Sequence, residues 1–175
     1  MDDKTTGLRK LVDQRQKLIY EAVKAGMAAG LPHESQLMAQ AIQEHMHLAH
    51  VHNALEFADL REGTPYEITV QGQPMSPMAH VAVHSAVKAQ IEQVPLVRAA
   101  FEKMVATGIS AHHGEHILGG LFMEAQWECL QADESGEDTE KITRRYEHNL
   151  KKLARDSAYR KKLAGQFGAE HAAFE

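Results

Sequence analysis

A single cysteine, Cys129, in 175 residues excludes an intramolecular disulfide framework, and nothing near it arranges a base that would make it a nucleophile. No apolar run approaches the roughly 20 residues that cross a bilayer, which excludes a helical membrane span. The opening residues MDDKTTGLRK also lack the apolar core of a secretory leader, so a cytoplasmic location is expected. Positive charge is short as well: 19 Lys and Arg against 24 Asp and Glu leave a net charge of −5. Phosphate contacts need a basic footprint, so neither nucleic acid nor a membrane is an expected partner. Histidine is what the chain has in excess, with twelve residues where average usage gives roughly four.

The length suits one domain, or one domain with a tail. Leu8, Leu11, Val12, Leu18, Ile19, Val23 and Met27 recur at helical spacing and predict a helix over 6–29, stopped by Gly30 and Pro32. The pattern resumes at Ser35 and ends near Gly63 and Pro65. It contains EHMHLAHVH, in which His45 and His52, two turns apart, share a face with Ile42 and Ala49. Tyr66 to Val70 alternates, carries β-branched residues and leads into Gln71-Gly72, which reads as a short strand or hairpin. Ser76-Pro77 starts a helix that ends at Pro95, Pro95 starts the next, Gly108 stops it, and Ser110 caps a further helix running to about Trp127. Gly119 and Gly120 inside that last helix predict a neighbour packed very close. The expected fold is an all-α bundle of about five or six helices with a short β excursion near residues 66–70. Its expected organisation is a His-rich helical domain over 1–131, an acidic linker over 132–140, and a basic helical segment over 141–175. Between Lys141 and Lys162 that segment holds nine Lys or Arg and two acids, which read as a solvated face or as a surface for an anionic partner.

The histidines carry the chemistry. HHGEH places His112 and His116 one turn apart on one helical face, near enough to grip one ion, and His80 and His84 repeat the same spacing. Glu124 follows on the same stripe as His116. His113 shares a face with His116 at i, i+3 and is an alternative to His112. Glu115 is turned aside from His116, which suits an outer acceptor, a second ion or a general base. H-x-x-E-H is also the spelling of the inverzincin metalloproteases. Burying such polar groups without partners costs a few kcal/mol each, so a bound metal or a dense hydrogen-bond network is required. His80, His84, His112, His116 and Glu124 are the expected ligands, converging between two helices, with His45 and His52 as further candidates. Zinc, iron, manganese and nickel all suit such a set. The expected function is a metal-binding helical protein, extending to a metal-dependent enzyme of hydrolytic or oxygen chemistry with Glu115 as its base. The alternative is a helical interaction protein whose histidines are structural or pH-sensing. A small-molecule or protein partner and a homo-oligomer both stay open. Trp127 is expected as a core anchor beneath the site.

PMSPMAHVAVHSAVKAQI followed by HHGEHILGGLFMEAQW resembles the proteobacterial family catalogued as domain of unknown function 1841. The first half of that family's pattern is matched by Ser76, Pro77, His80, His84 and Gln90, and the second by His112, Glu115, His116, Glu124 and Trp127. An upstream histidine pair of the family falls on His45 and His52 with an insertion of three residues. The resemblance spans about residues 35–130 and supplies no activity. Because Glu124 and Trp127 recur with His84 in it, it implies Glu124 as ligand and Glu115 as the residue that orients an imidazole.

Overall fold

The computed structural model describes residues 3–58, 66–70, 73–135 and 138–171, with side chains described for 10–58, 66–69, 76–132 and 138–167. Along the chain run α1 (Asp3–Lys24), a 3-10 turn (Ala28–Gly30), α2 (His33–His45), α3 (Ala49–Glu56), β1 (Ile68–Val70), β2 (Gln73–Met75), α4 (Pro77–Gln93), α5 (Pro95–Ala106), α6 (Ala111–Ser135), α7 (Thr139–Arg155) and α8 (Ser157–His171). The fold is therefore all-α with one two-stranded hairpin, as expected, but eight α-helices stand among the described residues instead of five or six. No helix among these residues is long and apolar enough to cross a membrane.

Two breaks account for the larger number. The run expected from Ser35 onward divides at Met46–Leu48, where Met46 N–H reaches Gln43 O and Leu48 N–H reaches His45 O at 3.0 Å in a tightened final turn. Leu48 then turns extended, at φ −84° and ψ 113°. No Gly or Pro marks the spot. The break leaves His45 and Leu48 buried and lets Val51, Ala54 and Leu55 of α3 enter the core as well. The second break, at Asp156, does have a local signal: its carboxylate caps α8 by accepting from Ala158 and Tyr159 N–H at 2.9 and 3.1 Å. The buried Arg160 guanidinium then reaches back to Leu153 O at 2.7 Å. The first helix also stops earlier than expected, with Gly26 rather than Gly30 taking the left-handed conformation, φ 71°, just past its end. The expected end near Gly63 and Pro65 and the Gln71-Gly72 turn lie outside the described residues.

Among the described residues the chain forms two compact units, one up to Ser85 and one from Ala86 to His171, so the division falls inside α4, whereas the sequence places a linker at 132–140. In the first unit α1 packs on α2 and α3 around Tyr20, Ile42, Val51, Leu55 and Val81. Burial, and then the Glu56 carboxylate beside it, pushes the Tyr20 hydroxyl up to about 12. The Lys24 ammonium, 2.8 Å from Glu56, and the Tyr20 hydroxyl hold Glu56 down to about 2. A carboxylate held below its ordinary value stabilises the fold above that ordinary value and loses the contribution as pH falls through the folded one. Melting temperature measured between pH 4.5 and 2 is therefore expected to fall less steeply in Glu56→Gln than in the wild type. Equal slopes would show that this cluster does not set the acid limit.

In the second unit α5 packs on α6 and α7, and α6 on α7 and α8. The acidic stretch is largely helical rather than a linker. Helix α6 continues to Ser135 with Ala132 buried, and Asp138 accepts from Glu140 N–H at 2.9 Å to cap α7; residues 136–137 lie outside the described residues. The basic segment buries Ile142, Leu150 and Leu153 against its neighbours, so its apolar face belongs to this unit's core. Gly120 explains itself: a Cβ there would overlap the Phe167 ring of α8.

Candidate metal centre

In the first unit the site begins with how α4 starts. Ser76 Oγ accepts from Ala79 N–H at 3.3 Å, and Pro77 takes the first-turn position where a missing N–H costs nothing. The helix then carries His80 and His84 one turn apart, with ring centroids 4.8 Å from each other. His45, the last residue of α2, brings a third ring, 4.8 Å from His80 and 4.5 Å from His84. Each of the three offers a ring nitrogen, and these nitrogens lie within 4.8 Å of one another. His45 and His84 are buried, His80 half-buried.

His45 shows why the group points inward. Its Nδ1 lies 2.6 Å from Ala41 O one turn back, and a carbonyl can only accept, so Nδ1 carries the proton. In the neutral ring that leaves a lone pair on Nε2, which lies 3.1 Å from His80 Nε2. A backbone carbonyl that fixes the far nitrogen of an imidazole is the usual second contact of a ligating histidine. With metal–nitrogen bonds of about 2.0–2.1 Å, two ligands on a tetrahedral ion stand roughly 3.3–3.4 Å apart, so the observed separation is close to one edge of such a polyhedron. The same separation accommodates a His80 Nε2–H donating to His45 Nε2.

In the second unit Ser110 Oγ accepts from His113 N–H at 3.2 Å and starts α6. One turn apart, His112 and His116 face each other with Nε2 atoms 3.2 Å apart and rings at 88°. The partner of His116 in this pair is thus His112, not His113. Glu115 is buried, accepts from Lys88 Nζ at 2.7 Å, and has a carboxylate oxygen within 4.8 Å of a His112 nitrogen. The Lys88 and Glu115 side chains are only 11% and 8% exposed. Sequence reasoning passed over Lys88, although it lies one turn beyond His84 on α4 amid the inward stripe that ends at Ile91. A lone cation at an inward helical position was the available signal.

The remaining candidates are placed differently. His52 stands on α3 with its ring edge-on to Tyr20 at 5.9 Å, since the break before α3 separates it from the face that His45 occupies. Glu124 is exposed, and its charge acts on Tyr159, whose hydroxyl is pushed up by burial and then by this carboxylate. Trp127 is 63% exposed and so is no core anchor. It borders a surface cavity with Ile142 and the Glu128–Arg145 ion pair. Comparison with family models, curated proteins and solved structures finds no match for the chain.

Proposed function

We propose that the protein binds a first-row transition metal, with His45, His80 and His84 as donors in the first unit and the His112–His116 pair as a second donor set. The observation that carries this reading is the bond from His45 Nδ1 to Ala41 O, which in the neutral ring makes Nε2 the lone-pair nitrogen, 3.1 Å from His80 Nε2. Three neutral imidazoles fit zinc, iron or nickel better than manganese, which prefers carboxylate oxygen. An ion held by three histidines keeps a coordination position for water or substrate, and there it would act as a Lewis acid or activate water. The chain's own part is to aim His45 through Ala41 and to keep His84 away from solvent. Glu115, the candidate general base, has Oε1 engaged by Lys88, and its proposed role is that of outer acceptor to His112. Glu124 is left out of the ligand set because it is exposed. A cytoplasmic location without a nucleic-acid partner belongs to the same reading, supported by the single cysteine and the net charge of −5.

Metal analysis of protein expressed without a histidine tag tests it. The wild type is expected to carry zinc, iron or nickel, His84→Ala and His45→Ala to lose the metal of the first set, and Glu124→Gln to keep it. Metal-free wild type that is fully folded overturns the proposal. A second reading is then favoured by the same separations, 3.1 and 3.2 Å, which also fit N–H···N hydrogen bonds. Protonation would set two N–H groups facing each other in each pair and make the protein a pH-responsive interaction module.

A further inference from the structure

We infer that Lys88 decides whether Glu115 becomes a metal donor beside His112, and thereby sets which ions the second donor set accepts. The inference rests on the metal-binding reading above. Lys and Glu side chains are rarely buried unless paired, and here both are nearly excluded from water at a contact of 2.7 Å. Removing two charges from water is expensive, and their attraction offsets that cost only in good geometry, so a buried pair is weak as a device for stability alone. Its position suggests another use. The carboxylate that Lys88 holds by Oε1 also has an oxygen within 4.8 Å of a His112 nitrogen, and His112 faces His116 at 3.2 Å. A cation arriving at this histidine pair and the Lys88 ammonium therefore compete for one carboxylate.

The charges give the consequence. The Lys88 ammonium offsets the Glu115 carboxylate, so with Lys88 in place an incoming ion meets the imidazole nitrogens and less negative charge than the carboxylate alone would present. Borderline ions that favour imidazole, such as zinc, are retained, while harder ions that favour carboxylate oxygen, such as manganese, gain little. Without the Lys88 ammonium, the buried Glu115 carboxylate loses the cation that holds Oε1 and turns more readily to an incoming ion. The hard ion then gains most, because oxygen is the donor it prefers.

Titration of tag-free protein with Zn(II) and with Mn(II) provides the test, in the wild type, Lys88→Met, Lys88→Arg, Glu115→Gln and the Lys88→Met/Glu115→Gln double variant. Lys88→Met is expected to bind Mn(II) about tenfold tighter or more, the scale on which outer contacts act on metal affinity, with a smaller gain for Zn(II). Lys88→Arg keeps the charge and should match the wild type. The double variant should lose the Mn(II) gain, because the released carboxylate is gone. Glu115→Gln leaves an ammonium without its carboxylate near the histidines and should weaken Zn(II) about tenfold. Unchanged Mn(II) binding in Lys88→Met, or a gain that survives in the double variant, overturns the inference while leaving metal binding intact. Should Lys88→Met not fold, Glu115→Gln decides alone, and Zn(II) binding equal to the wild type overturns it. A wild type that binds neither ion overturns the metal reading itself.

Discussion

Chelation of tag-free protein is expected to lower its melting temperature by roughly 5–10 °C, the shift that follows when an ion present at about a hundred times its dissociation constant is removed from a chain of this size. Folding brings the nitrogens of His45, His80 and His84 within 4.8 Å of one another, an arrangement an unfolded chain does not hold. An ion that binds this arrangement stabilises the folded state alone, so metal affinity appears as folding free energy. Adding back zinc should restore the melt, and His84→Ala should lose the part of both responses that belongs to the first donor set. A melt unchanged after loss of metal has been measured would place the stabilisation in the imidazole hydrogen bonds instead.

The second large effect is expected at Gly120. Its missing side chain lets α6 meet the Phe167 ring of α8, where even a methyl group would overlap. Gly120→Leu should cost about 1–3 kcal/mol by overpacking, despite a helix propensity better than glycine's. In a chain of this length that is a fall of roughly 2–10 °C in melting temperature. Phe167→Ala creates space at the same point, so the double variant should recover much of the loss, with a coupling of about 1 kcal/mol or more in a double-mutant cycle. Additive losses would show that the two residues do not meet. The site geometry of α6 serves as a control, since Gly120 lies one turn beyond His116 and metal content should survive whenever the variant folds.

How much of this was legible in the sequence depends on where the signal resides. Ser76-Pro77 and Ser110 announce their helices because a hydroxyl cap and a first-turn proline act within three residues, and both hydroxyls do accept the expected N–H groups. The pairs His80–His84 and His112–His116 are legible for the same reason, being set by helical pitch alone. The membership of His45 in a cluster with the α4 pair needs tertiary structure. Spacing linked it instead to His52, and that link failed because the helix breaks at Met46–Leu48 for burial rather than for any local breaker. Lys88 went unread because its partner, Glu115, is 27 residues away and lies on another helix. Glu124 and Trp127 were read inward from a stripe, yet α6 extends past the first core contacts and leaves both exposed. The basic segment shows both sides of its pattern: its Lys and Arg side chains other than Arg160 are exposed as a solvated face, while Ile142, Leu150 and Leu153 bind it into the second unit.

The hairpin has a bearing on how copies of the chain behave in concentrated solution. Both of its strands are edges, and an edge strand with unsatisfied N–H and C=O groups invites pairing with a neighbour. Thr69 lies opposite Pro74 in the antiparallel register, between the pairs Ile68–Met75 and Val70–Gln73. Antiparallel pairs alternate between bonded and unbonded, and a residue without an N–H fits the unbonded pair, whose backbone groups turn outward. The outer edge of β2 thus carries a carbonyl at Pro74 and no donor. A strand arriving there from another molecule cannot complete a ladder, and with three residues in each strand the other edge offers little more than Thr69. The one pair of strands among the described residues is in this way protected against serving as a template for aggregation.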